Sequence, residues 1–592
     1  MNRKDIGALV ALVMLLMVWM MFGPVIERKL FPPSPVDIGS SESPLPGAAG
    51  TSTGGATVAA EPGLVPAAGP SVPPQQGREE TYLLTNDVVT VTFSTHGAGV
   101  NGAMLSAYRE DLPLDSEPVI LSFTNGRALA YSGLVGLDES ASFTARESND
   151  SRTLAMQGLG VNGIKLSRTF ELDENYLIGV TDTFTNPSSV PVQVPGHLVQ
   201  LGSMVEQGSG KSLYVPYSLG VDVLLDSGGD VKYLGKKVIP KAVKGSPKLT
   251  VKSRLEEPAQ WVSVKNRFFV QILHPGEGGD ETVWRSAKAS MKDKMPSEVG
   301  ASIRMSGMVL GPGESVSRDY SYYIGPKKYS VINEYRHHMG KVMDFGLFTP
   351  ICKVLLGTLN TIWEHIWPHN YGVAIILLTI LIRILFWPIT HRGTESMRKM
   401  QEIQPLMQEL REKYKDNPQK QQQELFALYK EHKINPVGGC LPMIIQIPVF
   451  FALFVVLRSA IELRFADFLW IRDLTQPEGL FKDFILFEVF PFNLLGGLNL
   501  LPVLMSAMML YQQKIMPTSA DPRQARIMQM MPLLMLFLFY PAPSGLALYW
   551  TTNQCSMIVQ QVLYKRRKER QEAELKSADR PKAPPPKKRS KQ

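Results

Sequence analysis

The sequence predicts a multidomain, polytopic α-helical membrane protein of six spans, with a large antiparallel β-sandwich domain on the outer side and a helical hairpin on the cytoplasmic side. Three observations carry this expectation. Residues 31–330 are mostly polar and rich in Gly, Pro, Ser and Thr, whereas residues 345–563 hold long apolar runs, so a water-exposed domain is joined to a membrane domain. Apolar and polar residues alternate through much of the polar half. Lys and Arg concentrate on alternate connections between the apolar runs.

The first element is an anchor, residues 1–30. Met1-Asn2-Arg3-Lys4-Asp5 precedes residues 6–22, seventeen positions without a charge. At ~1.5 Å per residue they reach about 25 Å. A cleaved signal would end in an Ala-x-Ala pattern, and Phe22-Gly23-Pro24-Val25-Ile26-Glu27 offers none. An uncleaved anchor with a cytoplasmic N-terminus is expected, with Arg28 and Lys29 weakening the charge bias. Residues 31–79 are Pro, Gly, Ala and Ser with almost no aromatic side chains. They cannot bury enough apolar surface to offset chain entropy and read as a flexible linker.

Residues 80–330 read as a β-sandwich. Val89, Val91 and Phe93 point one way and Thr90, Thr92 and Ser94 the other. Leu166, Arg168, Phe170 and Leu172 run to a turn at Asp173-Glu174-Asn175, after which Ile178, Val180, Asp182 and Phe184 alternate again. Ile303 and Met305 approach the turn Gly311-Pro312-Gly313, and Tyr320 and Tyr322 follow. Period two with Gly, Pro and Asn turns marks antiparallel strands. His96, His197 and Glu206 are scattered, with no spacing that requires a metal or an acid–base pair. A carbohydrate-binding role is conceivable by fold analogy alone.

Five further apolar segments follow, at 371–388, 439–457, 498–516, 527–541 and 545–563. The connection 391–435 carries nine Lys/Arg, whereas 459–497 carries three and six Asp/Glu. The positive-inside rule places 391–435, the 512–526 loop and the basic tail 564–592 in the cytoplasm, and 459–497 outside. Both termini are then cytoplasmic and the β domain lies outside. From Lys565 onward twelve Lys/Arg stand against four Asp/Glu, which serves orientation or attraction to anionic lipid; RNA is the weaker reading.

Before the second span, residues 341–368 carry Phe345, Phe348, Ile351, Leu355, Leu359, Trp363 and Trp367 at helical spacing. This suits an amphipathic helix at the outer interface, or a packed helix. In 391–435, Met400, Ile403, Met407, Leu410 and Tyr414 form a coiled-coil stripe. Lys415-Asp416-Asn417-Pro418 ends it, and Leu425, Tyr429 and His432 continue it on the return arm, with a bend expected at Pro405. Pro502 and Pro532 make two of the later spans look short or broken. Cys352, Cys440 and Cys555 lie in or beside apolar segments and read as small packing residues, with no disulfide or metal pair among them.

The candidate site centres on Arg383, five residues before Pro388 within an apolar span. An arginine at mid-bilayer costs ~2.5–3.5 kcal/mol on insertion scales, so it needs a partner or water unless it snorkels to the interface. Thr379 lies one turn earlier on the same face, Gln446 midway along the next span, and Tyr549, Trp550, Thr551, Thr552, Asn553 and Gln554 make a polar stretch in the last. None of the five spans contains Asp or Glu. A proton or cation transporter would set carboxylates at that depth. An uncompensated arginine among amides and hydroxyls reads instead as a wet groove for a polar or anionic guest.

Three stretches carry a family resemblance. Gly438-Gly439-Cys440-Leu441-Pro442-Met443-Ile444-Ile445-Gln446-Ile447-Pro448 resembles the third-span signature of the YidC family. Residues 382–388 resemble its second span, and Pro543-Ser544-Gly545-Leu546-Ala547-Leu548-Tyr549-Trp550 the start of its last. The resemblance covers about 345–565 and implies an insertase of the bacterial inner membrane with a periplasmic domain, acting on nascent membrane proteins. It implies a groove of Arg383, Thr379, Gln446 and Asn553, open to cytoplasm and lipid and closed to the outside, with Ile447, Tyr549 and Trp550 contacting the substrate helix. It further implies work beside the Sec translocon, substrate reception by the hairpin and approach of the basic tail to a ribosome. No cofactor, metal site or sequence-specific nucleic acid is expected, no Gly-x-x-x-x-Gly-Lys-Ser/Thr loop is present, and the protein is not expected to be an enzyme. Two rivals remain at this stage. A small-solute transporter would need internal repeats and intramembrane carboxylates. A glycan-binding protein would need a convergent polar cleft in the β domain.

Overall fold

The computed structural model describes residues 78–112, 116–123, 126–147, 150–205, 219–227, 230–234, 250–255, 259–276, 282–289, 296–343, 345–432, 434, 441–480, 497–515 and 522–578. The expected anchor, nearly all of the linker, Glu206, Gly438-Gly439-Cys440 and the tail beyond 578 lie outside them. The chain forms two compact units, Met1–Gly325 and Pro326–Gln592.

The first unit is built from antiparallel sheets. One runs, in spatial order, Asp230–Leu234, Gly220–Ser227, Ala259–Lys265, Phe269–His274, Ser315–Pro326, Leu177–Thr185, Lys165–Leu172, Thr153–Leu159 and Thr144–Glu147. A second runs Thr250–Leu255, Thr282–Ala289, Pro296–Met305, His197–Val205 and Tyr131–Ser132, and a third takes Thr81–Thr85 to Pro118–Ser122 in sequence order. The expected alternation is realised: Leu166, Arg168, Phe170 and Leu172 are buried, as are Ile178, Val180, Asp182 and Phe184. Period-two strands put one set of side chains on one face, and here that face carries the core, with the Phe93 and Phe170 rings 4.6 Å apart.

Two of those alternating residues are charged. Arg168 and Asp182 are register partners on adjacent strands, exposed by 1% and 0%. The guanidinium donates from Nε to Asp182 Oδ1 and from Nη2 to Oδ2, both at 2.6 Å. Its Nη1 donates to the carbonyls of Ala98 and Leu129 at 3.0 and 2.7 Å, and the Tyr131 hydroxyl also donates to Asp182. Burial opposes the Arg168 charge, but Asp182 more than offsets it and holds the guanidinium well above its ordinary pKa. Such a fork–fork pair with its spare donors used is the form in which a buried ion pair is tolerable.

The second unit is helical: α1 (Thr349–His365), α2 (Tyr371–Leu385), α3 (Trp387–Glu402), α4 (Gln404–Lys413), α5 (Pro418–Glu431), α6 (Leu441–Ser459), α7 (Leu500–Ile515), α8 (Pro522–Phe539) and α9 (Ser544–Ala578). α1 buries Cys352, Leu355, Leu356 and Leu359 and packs on α2 and α6. Its other side leaves Val354 exposed, and Trp367 beyond it is 84% exposed. Ile403, Met407, Leu425, Leu428 and Ile434 form one apolar cluster between α4 and α5. The chain breaks at Ile403, with Pro405 in the first turn of α4. It breaks again at Asn417, which caps α5 by accepting from Lys420 N at 3.1 Å with Pro418 following.

Several expected boundaries are corrected. The run at 371–388 ends as a helix at Leu385, because Phe386 breaks it and Pro388 enters the first turn of α3, where a missing N–H costs nothing. Pro502 likewise sits in the first turn of α7. Pro532 lies inside α8, which begins at Pro522 rather than 527 and runs on through it. The last helix does not stop at 563 but continues to Ala578, since no Gly or Pro occurs between Gly545 and Pro581 and the Arg-, Lys- and Glu-rich stretch favours helix. Cys555 is exposed, with its Sγ 3.7 Å from Met508 Sδ, rather than packed inside.

Among the described residues no helix is long and apolar enough to cross a membrane. α2, α6, α7 and α8 have 15, 19, 16 and 18 residues, about 22–28 Å at ~1.5 Å per residue against a hydrocarbon core of ~30 Å. α9 has 35 residues but is polar from Thr551 to Gln554.

Candidate functional site: a polar seam between α2, α6 and α9

α2 starts where Asn370 accepts from Gly372 N and Val373 N at 2.8 and 3.3 Å. It packs against α9. Arg383, in its last turn, is half-buried. Its Nε donates to Asn553 Oδ1 and its Nη2 to the Asn553 backbone carbonyl, both at 3.0 Å. Asn553 itself is 8% exposed. Among the described residues no carboxylate lies within ion-pairing distance of Arg383. The guanidinium is therefore half-exposed and held by an amide and a carbonyl, not by an acid among the described residues.

Gln446 on α6 reaches the same helix, donating from Nε2 to the Tyr549 hydroxyl. Tyr549 is 0% exposed, so it faces inward with Gln446 and Asn553 rather than standing on the rim where a substrate helix was expected to meet it. Trp550 packs its ring on Phe450 and Phe539 at 5.4 and 5.1 Å, and its indole N–H finds no acceptor among the described residues. Ile447 is half-buried. Thr379 is buried, and its hydroxyl donates to Ile375 O at 2.6 Å, so it turns back on its own helix and does not bond Arg383.

Sequence reasoning missed Gln513. Pro532 has no N–H to offer the carbonyl of Met528, four residues earlier, and Gln513 Nε2 of α7 donates to that carbonyl instead. The signal was present as a proline inside an apolar run, but its partner is set by packing of α7 on α8.

In the β unit a cleft of ≈ 530 Å³ is lined by Leu134, Val135, Val161, Ile164, Phe184 and Val194, with polar groups from Asn162 and Gln193. Asn162 Nδ2 donates to Gln193 O at 3.1 Å. This is an apolar recess, not the convergent polar cleft a glycan site needs. His197 is 2% exposed and its pKa is pushed down to about 4, mainly by burial. Among the described residues no group of three or more His, Cys, Asp or Glu could hold a metal.

Residues 362–572 match the family described as "60Kd inner membrane protein" and residues 81–357 that described as "YidC periplasmic domain". Similar curated proteins include "Membrane protein insertase YidC" of Geobacter metallireducens, 31% identical over 554 residues, covering 90% of this chain and 94% of that one. The protein of the same name from Syntrophobacter fumaroxidans is 44% identical over 309 residues, and that match spans about half of either chain, 52% and 54%. A solved structure titled "Active YidC insertase crystal structure with the first transmembrane domain resolved" aligns over 81% of this chain and 91% of that one, with 19% identity and a TM-score of 0.33.

Proposed function

The chain belongs to the YidC family of membrane protein insertases, and on that footing we propose that the polar seam between α2, α6 and α9 is the groove through which it works. It is a bacterial inner-membrane protein, and its substrates are newly made membrane proteins. The hydrophilic tail of a substrate enters the seam from the cytoplasm. Arg383, half-exposed and without a carboxylate partner among the described residues, lowers the desolvation cost of that tail and attracts its acidic residues. The apolar helix leaves past Ile447 and Trp550 into lipid, and this partition supplies the free energy without nucleotide or covalent chemistry. Gln446 and Asn553 give the seam its polar lining, and the buried Thr379 and Tyr549 pack behind it.

Six spans, cytoplasmic termini and a periplasmic β domain follow from the distribution of Lys and Arg. The short helices suit a locally thinned bilayer. The amphipathic α1 lies at the outer interface. The α4–α5 hairpin meets substrates in the cytoplasm, the basic tail approaches the ribosome and anionic lipid, and the Sec translocon is a neighbour.

The observation that carries this reading is the Arg383 guanidinium held by Asn553 rather than by an acid. Photocrosslinkers at Thr379, Gln446, Ile447 and Trp550 test it on stalled nascent chains. Adducts from Gln446 to the polar tail and from Trp550 to the apolar helix are expected. Absence of adducts at all four, with insertion intact, defeats the proposal.

A further inference from the structure

The apolar cleft of the β unit has an exposed rim: Val135 is 71% exposed and Val161 52%. The two meet where Val161 N donates to Val135 O at 3.3 Å. None of the residues lining the ≈ 530 Å³ recess is charged. Its polar groups are partly engaged already, since Asn162 Nδ2 donates to Gln193 O at 3.1 Å and Asn162 Oδ1 accepts from Ile164 N at 3.5 Å. The first described strand begins beside this recess. Thr95 N donates to Glu80 O at 3.0 Å, and Phe143 N to Thr95 O at 2.8 Å. The Phe143 ring and the Leu137 side chain converge on Gly158, where a Cβ would lie 2.5 Å from the one and 3.0 Å from the other, and Leu137 lines the recess. On the same side Glu79 pairs with Arg127 at 2.8 Å, and the Arg127 backbone N–H donates at 3.2 Å to Glu139, two residues beyond Leu137. The chain that precedes residue 78 therefore enters the domain within a few side chains of the cleft.

We propose that this cleft is occupied by the protein's own residues 62–77, with Val72-Pro73-Pro74 seated in it. Four properties select this segment. No Asp, Glu, Lys or Arg occurs from Pro62 to Gly77, whereas a charge brought into an uncharged recess would lose its hydration unpaired. Val72 and Pro74 precede Arg78 by six and four residues, about 19 and 12 Å at ~3.1 Å per residue in the polyproline form. That is long enough to cross a few side chains and short enough to keep the segment at the rim. Pro62, Pro66, Pro70, Pro73 and Pro74 carry no N–H, so the segment asks for few acceptors from walls that have few free, and a polyproline stretch has little conformational freedom to lose on docking. Lastly, the connection is covalent. A short tether gives an effective concentration in the millimolar range, so a contact too weak to hold a separate peptide is populated. The consequence is a recess covered by the chain itself, available to an apolar partner only when the segment is displaced. Cleft and segment both belong to the β unit, Met1–Gly325, and the proposal is independent of the seam.

The test uses the full chain in lipid nanodiscs, with exposed Val135 replaced by the photocrosslinking residue benzoylphenylalanine and the adducts mapped by mass spectrometry. Adducts within one chain, to residues 62–77, are expected. Ile120 is the control, because it is 54% exposed on Pro118–Ser122, in the sheet that begins at Thr81, and lines no recess. The same photocrosslinker there samples the tether without the cleft and should give about tenfold fewer adducts to 62–77. Val72→Asp carries a charge to the recess and should lower the yield from position 135 by a similar factor, about tenfold, while the thermal midpoint stays that of the parent. Should the chain labelled at 135 fail to fold, the photocrosslinker at Val161 takes its place with the same expectation. Adducts to 62–77 no more frequent from the cleft rim than from position 120 overturn the proposal. So does a yield that Val72→Asp leaves unchanged, and so do adducts found only to residues 62–77 of a second copy.

Discussion

Arg383 and Asn553 meet across the packing of α2 on α9, two 3.0 Å hydrogen bonds joining residues 170 apart in sequence. The amide side chain and its own backbone carbonyl both accept, so the guanidinium is oriented while its charge is left uncompensated. A carboxylate in place of Asn553 would hold the arginine as firmly and cancel the charge.

Asn553→Asp therefore keeps the geometry and removes the field. Insertion of substrates with acidic tails should fall several-fold, and substrates with neutral tails should be little affected. Arg383→Leu should follow the same pattern. Arg383→Lys should rescue only in part, since an ammonium cannot present the fork that engages both Asn553 atoms. Insertion yields across a tail-charge series check this.

Gln513 and Pro532 form a compensating pair. Gln513→Leu strips the exposed Met528 carbonyl of its donor, a loss of about 1 kcal/mol. Adding Pro532→Ala should recover much of it, because residue 532 then offers its own N–H to Met528. Thermal midpoints of the two single variants and the double variant in detergent provide the cycle. Additive losses would mean the bond does not act as described.

In the β unit, Arg168→Met leaves Asp182 buried without its main partner and should cost about 3–5 kcal/mol. Arg168→Met with Asp182→Leu removes both charges and should be less damaging than either change alone. Denaturant midpoints of the 78–325 fragment measure this.

His197 ties β-domain stability to pH. Its Nδ1 donates to Pro195 O at 3.1 Å, and Nε2 is buried without a partner among the described residues. The folded pKa is about 4 against the ordinary 6.5, so the unfolded chain binds the proton more readily. The neutral ring's contribution is present in full above pH ~6.5 and is lost as pH falls toward 4. At ~1.4 kcal/mol per pKa unit the loss is about 3 kcal/mol. His197→Gln should flatten the pH dependence of the fragment's unfolding free energy between pH 6.5 and 4.

The strand pattern was legible residue by residue. Leu166 to Phe184 follows period two, and the structure buries the set the alternation selects. That set included Arg168 and Asp182, whose place in the alternation was visible but whose pairing depends on the register of two strands. Arg383 stood out because an apolar run makes a charge conspicuous. Its partner did not, since six neighbouring polar residues, Tyr549 to Gln554, were equally eligible until the rotation of α9 was fixed. Trp550 now sits between Phe450 and Phe539, and Tyr549 faces Gln446.

The sequence by itself determined composition-driven properties: where apolar runs lie, where period two rules, which prolines and glycines punctuate the chain, and that no acid shares the five later apolar runs with Arg383. These depend on local covalent chemistry and on transfer free energy, which neighbouring residues reveal. Only the tertiary structure decided which atoms satisfy which: Asn553 for Arg383, Gln513 for the Met528 carbonyl, and Glu478 for the start of α7. Those pairings link residues 15 to 170 positions apart, and they follow from helix rotation and packing, which a linear pattern does not encode.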